Sequence, residues 1–138
     1  MASVTDAKTV GAPFSNAKKV VHVEYDFAND AGAAGALTLV TADGAMCGRM
    51  VSAFVETAAT SDGSMTLDLG TTTTADVIAA DIAVATLTIL SVHSGTTVGA
   101  PGDCFYLADG DVVKQTIVTA AATAGKIHYT FEFWKPEA

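Results

Sequence analysis

Hydrophobic and polar residues alternate strictly near the end of the chain. Ile127, Tyr129, Phe131 and Phe133 fall on one side, and Lys126, His128, Thr130 and Glu132 on the other. Successive side chains of a strand point to opposite faces, so this period of two predicts a half-buried strand. Val21, Val23, Tyr25 and Phe27 alternate with Val20, His22, Glu24 and Asp26 in the same way, so strands are expected at both ends. Between them, residues 36–41, 50–57, 64–69, 85–92, 103–107 and 112–119 are short runs rich in Val, Leu, Ile, Phe and Thr, each bounded by turn residues. Asp43-Gly44, Asp62-Gly63 and Asp109-Gly110 supply the positive-φ chemistry of tight turns, and the last predicts a hairpin. Residues 99–102 read as a loop and residues 119–125 as an Ala-rich connection. Only residues 74–81, with a Thr cap before helix-tolerant residues, predict one or two helical turns.

About eight short strands at even spacing, with at most one short helix, predict an all-β antiparallel sandwich, and among such folds a jelly roll. The 138 residues suit one domain. Residues 1–17 contain Gly11, Pro13 and a single large apolar anchor, Phe14, and read as an extended N-terminal arm. Residues 18–135 are the sandwich and residues 136–138 a C-terminal tail, because Pro136 cannot donate to a ladder.

Composition adds a constraint on partners. Hydrophobic residues make up 50% and charged residues 16%, below the roughly 25% charged of an ordinary soluble domain, so an apolar surface that meets another protein is expected. The formal charge of −8 repels phosphate backbones and anionic lipid, so neither nucleic acid nor membrane is an expected direct partner. Residues 82–102 form the longest charge-free run, but its second half is too polar to span a bilayer.

Chemistry is sought next among the nucleophiles, bases and metal ligands. Cys47 and Cys104 have no C-x-x-C or His-rich spacing, so they predict two buried thiols rather than zinc, with a bridge left open if strands bring them together. His22 and His128 lie on the polar faces of the first and last strands, where Glu24 and Glu132 would reach them if those strands were neighbours. Asp103, Asp109 and Asp111 lack the ordered oxygen spacing of a calcium loop. No nucleophile elbow or phosphate loop is present, so no enzyme, catalytic residue, metal or cofactor is expected.

Interface candidates stand out by rarity. Trp134 is the one tryptophan and leaves a strand beside Lys135 and Pro136, which fits an interaction anchor. Arg49 is the one arginine, near Met46 and Met50, and reads either as a carboxylate partner across an interface or as a solvated charge. Lys18-Lys19 is the one basic pair, and Phe14 the anchor of the arm. Phe54 and Phe105 are expected to be buried between the sheets.

A small acidic all-β chain with an N-terminal arm, a Val-His-Val-Glu-Tyr strand at 21–25, an Asp-Gly-Asp turn at 109–111 and a closing Gly-Lys-Ile-His-Tyr-Thr-Phe-Glu-Phe-Trp strand at 125–134 resembles the cement, or head-decoration, proteins of tailed bacteriophages. The resemblance implies a jelly-roll-like domain on the outer surface of the virion. There it would bind an HK97-like shell of major capsid protein, associate with itself as a dimer or trimer at local symmetry axes, and clamp neighbouring capsomers. A carbohydrate- or receptor-binding sandwich of a phage tail or adhesin is the alternative; it would need exposed aromatics and a pocket at one end.

Overall fold

The computed structural model describes residues 2–11, 18–30, 32–74, 77–93 and 104–135. Its strands are β1 (Ala2–Gly11), β2 (Lys19–Asp26), β3 (Gly35–Asp43), β4 (Met46–Ser61), β5 (Thr66–Thr71), β6 (Ala79–Ala83), β7 (Val92–His93), β8 (Phe105–Leu107), β9 (Val112–Val118) and β10 (Ala122–Trp134). One helical turn, α1 (Phe27–Asp30), follows β2, and a 3-10 turn covers Val84–Thr86.

The strands form two sheets. One runs β2-β10-β4, with β8 pairing the first residues of β4 and β7 its middle; the other runs β1-β3-β9-β5-β6. From β2 to β10 the chain repeatedly crosses between the sheets, and every neighbouring pair in that stretch is antiparallel. Nested crossing of this kind is jelly-roll connectivity, so the all-β sandwich is jelly-roll-like. The N-terminal segment is extended over residues 2–11 and lies parallel to β3 as the edge strand of its own sheet, with Val4 and Val10 buried in the core. Phe14 and residues 136–138 lie outside the described residues. Among the described residues no helix is long and apolar enough to cross a membrane.

The alternation of β10 is realised in full. Ile127, Tyr129, Phe131 and Phe133 are all at most 1% exposed and face Leu39, Leu67, Leu69 and Ile117 of the other sheet across one core. Within that core the Tyr129 hydroxyl donates to Gln115 Oε1 at 2.6 Å. Phe105 sets its ring edge-on to Phe133, 6.2 Å between centroids. Gly48 lies against both rings, and a Cβ there would stand 2.7 Å from Phe105, so only glycine lets β4 pass.

Several expected elements differ. The run at 85–92 is not a regular strand: after the 3-10 turn, Leu90 takes φ +65°, so Leu87, Leu90 and Ser91 bond to the β4 backbone without forming a ladder, and only Val92 and His93 continue as a strand beside β4. Residues 77–78 form a bend in place of helical turns, because Ile78 N donates to Leu69 O and leads into β6. Asp109-Gly110 does turn, with Gly110 at φ +85°, but it joins β8 to β9 across the two sheets, so it is not a hairpin. The Ala-rich connection is shorter than expected, since β10 already begins at Ala122. Phe54 is a correction of a different kind. Phe131 pairs with Met50 and Thr130 with Ser52, leaving Val51 as the extra residue of a bulge. The inward set therefore switches from Met46, Gly48 and Met50 to Ala53 and Val55, and Phe54 turns to the outer face while Phe105 is buried.

Candidate interaction face

The outward residues of β2, β10 and β4 form one polar face. At its end near the β8 edge, Glu132 is the hub. The register sets Arg49 and Val20 on either side of it, so one arginine from β4 arrives with no long reach. Arg49 Nη2 lies 3.3 Å from Glu132 Oε1, and Lys18 Nζ lies 3.2 Å from Oε2. Lys18 Nζ also sits 5.1 Å from the centre of the Trp134 ring, a cation–π contact. Burial works against the Glu132 charge, but the hydrogen bonds from Lys18 and Arg49 outweigh it and hold the carboxyl below its ordinary range. Among the described residues the buried Arg49 Nε has no hydrogen-bond partner.

Two of the residues singled out by rarity, Lys18 and Arg49, thus converge on one carboxylate, and a third, Trp134, joins them through Lys18. Lys19 turns away and donates from Nζ to Gly11 O at 3.0 Å, tying β2 to β1. Lys135 is exposed beside Trp134. Sequence reasoning paired Glu132 with a histidine; its actual partners come from β4 and from the residue before β2, a juxtaposition that no spacing along the chain encodes.

Farther along the same face, β2 and β10 are neighbours and their histidines meet. His22 Nε2 and His128 Nδ1 are 3.1 Å apart, with the rings stacked at 5.2 Å. His128 Nε2 is 2.8 Å from Glu56 Oε1 on β4, and Glu24 Oε2 is 3.6 Å from His128 Nδ1. Lys126 Nζ approaches Glu56 Oε2 at 3.4 Å and Glu24 at 4.0 Å. Hydrogen bonds from His128 and Lys126 keep the Glu56 carboxyl below its ordinary range. A cleft of about 220 Å³ opens beside His22, lined by Asp6, Glu24, Asp26 and Asp30 among others. Its carboxylates already serve the fold: Asp6 accepts from Glu24 N at 3.0 Å, and Asp30 from Thr5 N at 2.6 Å and Asp26 N at 2.9 Å, which fastens β1 over the free edge of β2.

The β7–β8 margin is apolar. Ile89, Leu90, Val92 and Tyr106 are each at least 58% exposed, Val51 stands out on its bulge, and Val20 is exposed at the opposite edge. None of these was singled out in the sequence, because an exposed apolar residue in an apolar run carries no periodic signature. Cys47 and Cys104 are free thiols, as expected, but only half-buried rather than fully buried, because they lie on this margin. Burial first, and then the neighbouring Cys104 thiol that hydrogen-bonds to it, push Cys47 up to about 11.

No family model and no curated protein matches this chain. Among solved structures, a chain of the cyanophage Pam1 capsid asymmetric unit is similar over 92% of this chain and 91% of its own length, with a TM-score of 0.66 and 21% identity. That likeness establishes a shared fold along nearly the whole of both chains.

Proposed function

We propose that this protein is a structural component of a phage head: a cement or decoration protein that binds the outer surface of a shell of major capsid protein and stabilises the contacts between its subunits. The observation that carries the reading is the end-to-end likeness to a chain of a phage capsid asymmetric unit. The outer face supplies a chemistry suited to docking. Glu132, Lys18, Arg49 and Trp134 form a preorganised charged and aromatic cluster, and exposed aliphatic side chains with Tyr106 line the adjoining margin. Clusters of this composition are common hot spots of protein interfaces. Self-association as a dimer or trimer at local symmetry axes belongs to the same reading, with Phe14, Lys19 and Lys135 as further contacts. The proposal includes no enzymatic step, no cofactor and no direct contact with nucleic acid or membrane.

Mechanistically, a protein that binds the assembled shell and not its dissociated subunits stabilises the shell by mass action. The test is co-sedimentation of the purified protein with tailed-phage heads stripped of decoration, scored together with the temperature at which the heads rupture. Saturable binding that raises the rupture temperature, weakened by Trp134→Ala, is the expected result. Absence of binding, with saturable capture on a glycan array, would replace the reading by a carbohydrate-binding sandwich.

A further inference from the structure

The histidine pair on the outer face has a geometry that the docking role does not use. We propose that His22 and His128 form a chelating site for one divalent transition-metal ion of the Zn²⁺ class, bound through His22 Nε2 and His128 Nδ1, with Glu56 as the outer carboxylate that orients His128.

Zinc–nitrogen bonds are about 2.0–2.1 Å, so two nitrogens on one ion stand about 3.3 Å apart at a tetrahedral angle and about 2.9 Å apart at a right angle. The two ring nitrogens here are 3.1 Å apart, between those limits. They come from adjacent antiparallel strands, where His22 pairs with Thr130 and His128 with Glu24, so both rings are held on a sheet rather than on loops. Glu56 Oε1 lies 2.8 Å from the far nitrogen of His128. A carboxylate in that place takes the Nε2–H, which leaves the Nδ1 lone pair facing His22, the arrangement that metal-binding histidines ordinarily carry.

In the metal-free protein one proton bridges the two facing nitrogens. On binding, the ion takes the place of that proton, which moves to His22 Nδ1, so both rings stay neutral and each turns one lone pair to the metal. Glu24 Oε2, 3.6 Å from His128 Nδ1, is placed to hold a metal-bound water. Asp6, Glu24, Asp26 and Asp30 line the adjoining cleft and give the approach a negative field, partly offset by Lys126, whose Nζ pairs with Glu56 at 3.4 Å and Glu24 at 4.0 Å. Among the described residues no group of three or more histidine, cysteine, aspartate or glutamate side chains is arranged to hold a metal, so the site is a two-nitrogen chelate completed by water. Imidazole selects transition metals over calcium and magnesium.

The experiment is isothermal titration of the tag-free, metal-stripped protein with zinc chloride and, separately, with calcium chloride, repeated for His22→Ala and Glu56→Gln after circular dichroism has verified their folds. The expected result is one zinc ion per chain at micromolar affinity, no calcium binding, loss of the zinc signal in H22A, and affinity weaker by about 10–100-fold in E56Q. The proposal is overturned if the wild-type protein shows no saturable zinc binding below millimolar concentration, or if H22A binds as the wild type does. Calcium binding as tight as zinc would overturn it too, by assigning the ion to the acidic cleft.

Discussion

Tyr129 and Gln115 are both fully buried, and each holds the other's polar end in an otherwise apolar core. Tyr129→Phe removes the phenol oxygen and leaves Gln115 Oε1 unpaired next to an Nε2 that already lacks a partner. A buried polar group deprived of its hydrogen bond costs about 1–3 kcal/mol, and this substitution removes almost no volume, so the whole effect is electrostatic. For a domain of this size about 3–5 °C of Tm accompanies each kcal/mol, so Tm should fall by about 3–15 °C. Gln115→Met strands the phenol but also removes the unpaired Nε2, so its cost should be smaller, about 1–2 kcal/mol. The double variant has no stranded group and should lie close to the wild type, giving a coupling energy of about 2–5 kcal/mol. Urea denaturation followed by circular dichroism at one fixed chain concentration measures all four corners of the cycle. Additive costs, or a Tyr129→Phe variant as stable as the wild type, would refute the account of the core.

Further outcomes follow from the remaining geometry. Gly48→Ala should destabilise by about 1–3 kcal/mol in the same assay, because its Cβ meets the Phe105 ring at 2.7 Å. Glu132 has its folded pKa lowered, so its contribution is present above its unfolded value of 4.5 and disappears as pH falls through the lower folded value; Tm curves of Glu132→Gln and wild type should differ at pH 7 and converge in acid. Burial, aided by Asp30 and Asp26, raises Tyr25 to about 12, so stability held by its neutral form should be lost between about pH 10 and about pH 12, with Tyr25→Phe flattening that limb of the denaturation profile. Iodoacetamide at pH 8 should alkylate Cys47 about 100-fold more slowly than an unshifted thiol, read by mass spectrometry of the peptide, since its pKa rises from 9.0 to about 11.

The parts of the fold legible in the sequence are those where burial is one-sided. β10 and the end of β2 alternate because one face meets the core and the other meets solvent. β6 gives no such signal, since none of its residues is fully buried, and β1 hides its two core valines behind a register shift between Ser3 and Lys8. The bulge at Val51 defeats parity counting within β4, which is why Phe54 changes sides. At the candidate site, rarity picked out Lys18, Arg49 and Trp134, but the carboxylate that Lys18 and Arg49 share was beyond sequence reasoning because residues 49 and 132 become neighbours only in the sheet. The meeting of His22, His128 and Glu24 was foreseeable once β2 and β10 were adjacent; Glu56 was not.

β10 lies between β2 and β4, so Thr130 must find His22 and Ser52, partners that left the ribosome long before it. At about 5–20 residues per second, roughly a hundred residues of translation separate β2 from its partner, a wait of about 5–20 s. During that interval the inner edges of β2 and β4 have no ladder to complete, and the apolar faces that β10 later covers meet water. The jelly roll can close only after translation has passed Trp134, so assembly-competent protein appears in one late step. Slow, non-local closure of this kind also exposes strand edges to self-pairing, which makes chain concentration during synthesis a determinant of yield.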